Sequence, residues 1–231
     1  MKLIRHLPNS ITLLNLISGC VGLHFVSQGA LHVALICILV SGLLDFLDGL
    51  AARALNAYSN LGKDLDSLAD VVSFGVLPGM MMHHLILLQG TQWTWLSWFA
   101  FLYPAMAALR LAIFNNDPEQ RTYFKGLPSP AAALFIAGFV GIYQVLPPNR
   151  MMFANPYVIT AMTWFPALLM VSRIRFFSLK FTRKDWNAIP ERTSWLIITS
   201  GQVILQGWFG VWFSLFTYLA FSLLHYKRIS R

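Results

Sequence analysis

Apolar residues fill this chain in long stretches separated by short polar intervals, a pattern that predicts membrane-spanning helices. A bilayer core takes about 20 apolar residues per helix, within a range near 17–25. Candidate spans fall at 11–28, 31–55, 66–88, 93–115, 128–146 and 153–172, with a closing pair at 193–206 and 208–226. That pair divides an apolar run over 195–225, whose 31 residues are too many for one comfortable span and few for two. Loop charge decides, because Lys and Arg concentrate on the cytoplasmic side. With the N-terminus inside and eight spans, 16 of the 17 basic residues fall on the cytoplasmic side and Arg150 falls outside. Seven spans would export the Lys227–Arg231 cluster, so a short helical hairpin turning near Gln206-Gly207 is expected. The expected fold is therefore all-α, a polytopic transmembrane helix bundle of about eight spans with both termini cytoplasmic. Residues 1–10 read as a basic juxtamembrane leader and 11–231 as a single membrane domain.

Composition agrees. The chain is 57% hydrophobic and only 11% charged, against roughly 25% charge in a soluble domain. A net charge of +8 would suit a nucleic-acid binder only on a charged, structured surface that this chain lacks. A cationic membrane face meeting anionic lipid explains it, with no nucleic acid involved. Cys20 and Cys37 sit in apolar runs without metal-ligand spacing and read as reduced packing residues. Lys2, Arg5 and the stretch Ile17-Ser18-Gly19-Cys20 imitate a lipoprotein signal, but everything downstream still belongs in a bilayer. Trp93, Trp95 and Trp98 fit an interfacial aromatic belt, and Gly138 and Gly141 fit close helix packing. His83 and His84 read as interfacial residues, and Met80–Met82 as packing.

Acidic residues change the picture. Five of nine lie between positions 45 and 70: Asp45, Asp48, Asp64, Asp66 and Asp70. Ionisable groups in or beside spans are costly and are functional candidates by default. A salt bridge to Arg53 or Lys63 would occupy one or two of them, not four at regular spacing. Asp45 and Asp48 are three apart near the end of the second span; Asp66 and Asp70 are four apart at the start of the third. Each pair shares one helix face. A turn over roughly 54–64, with Asn56, Ser59, Asn60, Gly62 and Lys63, would make an antiparallel hairpin that gathers four carboxylates at one depth. Four such charges become reasonable around one or two divalent cations, and oxygen donors without His or Cys favour Mg²⁺ or Mn²⁺ over zinc. Gly49 and Ala52 fall on the face of Asp45 and leave room for a phosphate-bearing group, to which Arg53 offers a fixed positive charge. Asp64 reads as a first-turn helix charge.

The run Asp45-x2-Asp48-Gly49-x2-Ala52-Arg53-x8-Gly62-x3-Asp66-x3-Asp70 resembles, at every specified position, the signature of the CDP-alcohol phosphatidyltransferase family. The resemblance implies a two-metal site of Asp45, Asp48, Asp66 and Asp70, with Asp70 as general base for the incoming hydroxyl. It implies that Gly49, Ala52, Arg53 and Gly62 line the CDP and diphosphate site, and that the enzyme works as a homodimer in the cell (inner) membrane with its site facing the cytoplasm. Residues 66–75 with Pro78, Arg110-Leu-Ala-Ile-Phe-Asn115, Lys125-Gly-Leu-Pro-Ser-Pro130 and Leu7-Pro-Asn-Ser-Ile-Thr-Leu-Leu-Asn15 look like the serine-transferring members. Ile113 departs from their pattern, which often carries Arg there. The implied substrates are CDP-diacylglycerol and serine. Arg110 is the candidate for the acceptor's carboxylate or a phosphate, with interfacial snorkelling as the alternative, and Lys125 is the next. Asn9 and Thr12 are candidates for the nucleotide, with capping of the first span as the alternative.

Two other readings compete. Transfer to glycerol 3-phosphate, an inositol compound or another polar alcohol would use the same motif. An ion or metal transporter would also place carboxylates in a membrane, but transporters bind near the midplane, often on broken helices, and these aspartates cluster at one edge.

Overall fold

The computed structural model describes residues 6–117, 123–146, 152–177 and 190–224. Lys2, Arg5, Arg121, Arg150, Lys180, Arg183, Lys184 and the Lys227–Arg231 cluster, on which much of the expected topology rests, lie outside the described residues. Helix dominates the rest. α1 (Leu7–Ser27) and α2 (Leu31–Ala54) form an antiparallel hairpin that turns at Gly29, whose φ is 74°. α3 runs Asn60–Leu87 and α4 Thr91–Asn116. α5 (Ser129–Val145), α6 (Pro156–Met170), α7 (Pro190–Gln206) and α8 (Trp208–Leu224) follow. The first four helices are long and apolar enough to cross a membrane; α5, α6 and α8 are apolar but shorter. The break between α7 and α8 falls at Gly207, with φ 56°, where the hairpin was expected. The two helices pack tightly enough that a Cβ on Gly210 would meet the backbone of Gln202.

The third helix begins at Asn60, six residues before the expected start at 66. The Ser59 side chain caps it by accepting a hydrogen bond from the Gly62 N–H at 2.9 Å, so the polar stretch read as loop is the first turns of the helix. Asp64 consequently lies past the first turn, exposed, and is no dipole partner of the helix start. Residues Val71–Val76 wind as a π-helix directly after Asp70. Such segments recur at functional sites.

Small and polar residues set how α1 packs. Its buried positions are Pro8, Thr12, Asn15, Gly19, Gly22 and Val26, spaced by three or four, while Leu13, Leu14, Ile17 and Val21 are exposed. A Cβ on Gly19 would stand 2.6 Å from Ser73 Oγ, and one on Gly22 2.6 Å from Leu77. Close approach through small residues is the usual means of helix association in lipid. α5 is the most enclosed helix, with Ala132, Phe135, Ile136, Phe139 and Val140 buried, as are Met81, Met82, Leu85 and Ile86 of α3. Phe135 packs on Phe165 of α6 and on Trp212 and Phe216 of α8. Gly138 and Gly141 admit α8, since a Cβ at either would strike Trp212 or Trp208.

One expectation, at Cys20, needs correction. The fold is the all-α bundle expected, with one short ribbon added: β1 (Tyr123–Lys125) pairs antiparallel with β2 (Arg175–Phe177), Lys125 opposite Arg175. Loops that leave α4 and α6 at the same end satisfy each other's backbone there, anchored by Gly126, whose φ of 79° and closeness to the Met170 carbonyl exclude a side chain. Cys20 is exposed and packs against no protein core, although Cys37 is buried as expected. Trp93 packs edge-on against the exposed Tyr157 at 5.1 Å, and Trp95 and Trp98 are exposed. His83 Nδ1 lies 3.0 Å from the Ser97 carbonyl, a structural contact.

Candidate active site

The antiparallel α2–α3 pair brings the motif's carboxylates together. Asp45, Asp48 and Asp66 can each place one oxygen within 4.8 Å of the others, Asp48 buried and the other two half-buried. This triad could hold a metal ion, and its donors are all hard oxygens, as Mg²⁺ and Mn²⁺ require. Asp70, one turn beyond Asp66, is buried and stands outside this compact group, yet it interacts electrostatically with Asp45, Asp66 and Asp48. Like charges so close repel, and Arg110 on α4 offsets part of that repulsion at Asp70 and Asp45.

α1 supplies contacts that the motif does not contain. Thr12 Oγ1 lies 2.7 Å from Asp48 Oδ2 and 3.0 Å from the Pro8 carbonyl. Asn15, completely buried, places Nδ2 3.5 Å from Asp70 Oδ1. Its own carbonyl accepts hydrogen bonds from Ser73 Oγ at 3.0 Å and Ser41 Oγ at 3.4 Å, fastening α1 to α3 and α2. Asn115 links α4 to α3: its Nδ2 donates to Ser67 Oγ at 2.7 Å, and its carbonyl accepts from Lys63 Nζ at 2.8 Å. Neither Asn9 nor Thr12 caps α1, which begins after His6 without a side-chain cap.

A cavity of about 750 Å³ opens over the triad. Its polar lining comes from the first three helices, with Asn9, Thr12, Asp45, Asp48, Arg53 and Asp66, and Gly49, Ala52 and Gly62 give room beside them. Gly62 is tightly held, since a Cβ there would sit 3.0 Å from both Asn9 Oδ1 and Ser59 Oγ. Apolar lining comes from Ala131 and Leu134 of α5, Trp195 of α7 and Leu215 and Tyr218 of α8. Tyr218 is wedged between Phe176 of β2, stacked at 5.3 Å, and Trp195 at 5.4 Å. The site therefore has the chemistry to receive a ligand that carries both a charged group and apolar chains.

The two acceptor candidates sit differently. Arg110 is buried, its guanidinium 5.0 Å from the Phe114 ring centre and its Nη1 3.4 Å from Ser129 Oγ. Burial this deep replaces the snorkelling alternative. Lys125 pairs with Asp117 at 2.9 Å on the ribbon. Neither lines the cavity. Sequence reading met Asn15 and Ser129 only within stretches resembling the serine-transferring members and gave them no role, and it did not single out Trp195 or Tyr218, because each is joined to the motif only through tertiary packing.

Comparison with known proteins matches this geometry. A model of the family described as CDP-alcohol phosphatidyltransferase covers residues 5–225. The chain is 30% identical over 227 residues to the CDP-diacylglycerol–serine O-phosphatidyltransferase of Mycobacterium leprae, spanning 92% of this chain and 72% of that protein. It is 34% identical over 172 residues to the enzyme of that name from Bacillus subtilis, spanning 74% of this chain and 90% of that one. An archaetidylserine synthase of Methanothermobacter thermautotrophicus is 33% identical over 151 residues, 61% of this chain and 60% of that protein. With three of the motif's aspartates lining one cavity, the fourth buried one turn beyond, and the match running over nearly its whole length, the chain belongs to the CDP-alcohol phosphatidyltransferase family.

Proposed function

We propose that this enzyme transfers the phosphatidyl group of CDP-diacylglycerol to the hydroxyl of L-serine, giving phosphatidylserine and CMP. The observation that carries the reading is a single cavity lined both by the motif's carboxylates with Arg53 and by apolar side chains. Its carboxylates and Arg53 suit a cation-bound diphosphate, and its wall of Leu134, Trp195 and Leu215 suits acyl chains. Serine as acceptor is supported by the relatives, two named for serine transfer and one for a seryl lipid.

Asp45, Asp48 and Asp66, with Asp70 behind them, would hold Mg²⁺ or Mn²⁺, two ions by family resemblance. Bound ions of this kind neutralise diphosphate oxygens and charge building on the leaving phosphate. Arg53 pairs with the diphosphate, Gly49 and Ala52 leave space beside it, and Asn9 and Gly62 border the nucleotide. The acceptor's hydroxyl oxygen bonds to the phosphatidyl phosphorus as the bond from that phosphorus to CMP breaks. The hydroxyl proton passes to Asp70, and CMP leaves with the bonding electrons.

A panel of acceptors tests the assignment. CMP release from CDP-diacylglycerol should be fastest with serine, because a site built to hydrogen-bond one acceptor rejects those lacking the matched groups by large factors. Preference for glycerol 3-phosphate or inositol would keep the family chemistry and remove the serine reading.

Arg110 is assigned to the serine carboxylate, for which its planar fork is suited. Arg110→Ala should raise the KM for serine at least about 30-fold, the scale of truncating a buried charge pair, while leaving the KM for CDP-diacylglycerol within a few-fold. An unchanged serine KM in folded protein would shift the role to Lys125.

The site is assigned to the cytoplasmic face of the cell membrane. Arg53, Lys63, Arg110, Lys125 and Arg175 gather at the carboxylate end of the bundle, as the positive-inside bias expects. A cysteine replacing Arg231, in a Cys20→Ser background, should resist an impermeant label in intact cells. Efficient labelling would place the C-terminus outside and leave an odd number of spans.

A further inference from the structure

We infer that Thr12 is a positioning residue for Asp48, fixing that carboxylate for a cation from a helix that carries none of the aspartate motif. The inference rests on the cation-binding reading of Asp45, Asp48 and Asp66. Thr12 Oγ1 stands 2.7 Å from Asp48 Oδ2 and 3.0 Å from the Pro8 carbonyl, and all three groups are buried or lie on a buried turn. A hydroxyl has one proton. Given to Pro8, it would leave an oxygen lone pair facing an ionised carboxylate oxygen at 2.7 Å, which is repulsive. Given to Asp48, it makes a charge-assisted bond of the short kind such pairs form. The proton therefore goes to Asp48.

That bond uses one of about four lone-pair positions on the carboxylate. The Gly49 N–H takes a second position, and the rest stay available to the shared space where Asp45, Asp48 and Asp66 bring oxygens within 4.8 Å. Thr12 can aim Asp48 because α1 itself is immobilised one turn later. The Asn15 carbonyl is held by hydroxyls from both α2 and α3, and Gly19 lets α1 rest on Ser73. The β-branched side chain adds stiffness at χ1. Partners that orient metal ligands in this way typically account for about 10–100-fold in metal affinity.

The test is Mn²⁺ binding to the full-length purified protein in detergent, followed by electron paramagnetic resonance without lipid substrate, for wild type, Thr12→Val and Thr12→Ser. Wild type and Thr12→Ser should bind alike, and Thr12→Val about 10–100-fold more weakly. Equal binding by Thr12→Val would overturn the inference. A raised KM for CDP-diacylglycerol at unchanged Mn²⁺ affinity would do the same and make Thr12 a nucleotide contact. Weak binding by Thr12→Ser as well would show that packing of the methyl group, and not the hydroxyl, matters. Absence of Mn²⁺ binding by wild type would remove the cation reading of the aspartates, and the positioning role with it.

Discussion

Chelation of divalent cations should abolish CMP release, and Mg²⁺ or Mn²⁺ should restore it. Three carboxylates that can bring oxygens within 4.8 Å of one another make a site unfavourable for protein alone. Two unit charges at that separation repel by about 3–4 kcal/mol at the effective dielectric of a partly buried site. Three such pairs approach the net stability of a whole domain, about 5–15 kcal/mol, and Asp70 adds to the load. Arg110 sets one positive charge against two of the aspartates, Asp70 and Asp45. Substrate worsens the balance, since a diphosphate adds further negative charge to the same cavity. The metal-free enzyme should therefore neither accept CDP-lipid nor turn it over. Saturating Mn²⁺ should also raise the unfolding temperature, because a ligand bound only by the folded state stabilises it by about 2.7 kcal/mol at 100 times its Kd. Full turnover in a preparation shown to be free of metal would refute the cation reading.

The sequence and the structure part company at identifiable places. The carboxylate site was legible because it is a matter of local periodicity: Asp45 with Asp48 and Asp66 with Asp70 share helix faces whatever the surrounding bundle does. The hairpin that joins them needed only the turn residues between. The break at Gly207 was legible too, from the length of the run and a glycine inside it. What stayed hidden depends on contacts distant in sequence. Thr12 meets Asp48 across 36 positions and Asn15 meets Asp70 across 55, and no spacing rule connects them. The Asn60 start was missed for a different reason. Asn60, Gly62 and Lys63 have loop composition, and the Ser59 cap that outweighs it is a single hydrogen bond. The π segment after Asp70 and the ribbon of Tyr123–Lys125 with Arg175–Phe177 are imposed by packing and by loops meeting at one end of the bundle. Apolar patterning carries no trace of either.

Asp70→Asn should lower kcat by about 10²–10⁴-fold, the range general-base catalysis supplies, while Mn²⁺ affinity changes by only a few-fold. The reasoning starts from its place apart. Asp45, Asp48 and Asp66 make the compact oxygen group, and Asp70 lies one turn further along α3, buried, beside Asn15 and within electrostatic reach of Arg110. Asparagine keeps the size and the contact to α1 but cannot take a proton. If Asp70 accepts the proton of the serine hydroxyl, the chemical step fails with the cation still bound. The loss should then appear equally in kcat and kcat/KM, the sign of an interaction made in the transition state. If Asp70 is instead a principal metal ligand, Mn²⁺ affinity should fall with activity and excess cation should recover part of the rate. Arg110 sharpens the comparison. Its removal should act on the KM for serine, so Asp70→Asn and Arg110→Ala should divide the acceptor's chemistry between them, one losing the proton transfer and the other losing hold of the carboxylate. Unimpaired turnover by Asp70→Asn at saturating Mn²⁺ would leave the hydroxyl without this base and assign the proton to another group in the cavity.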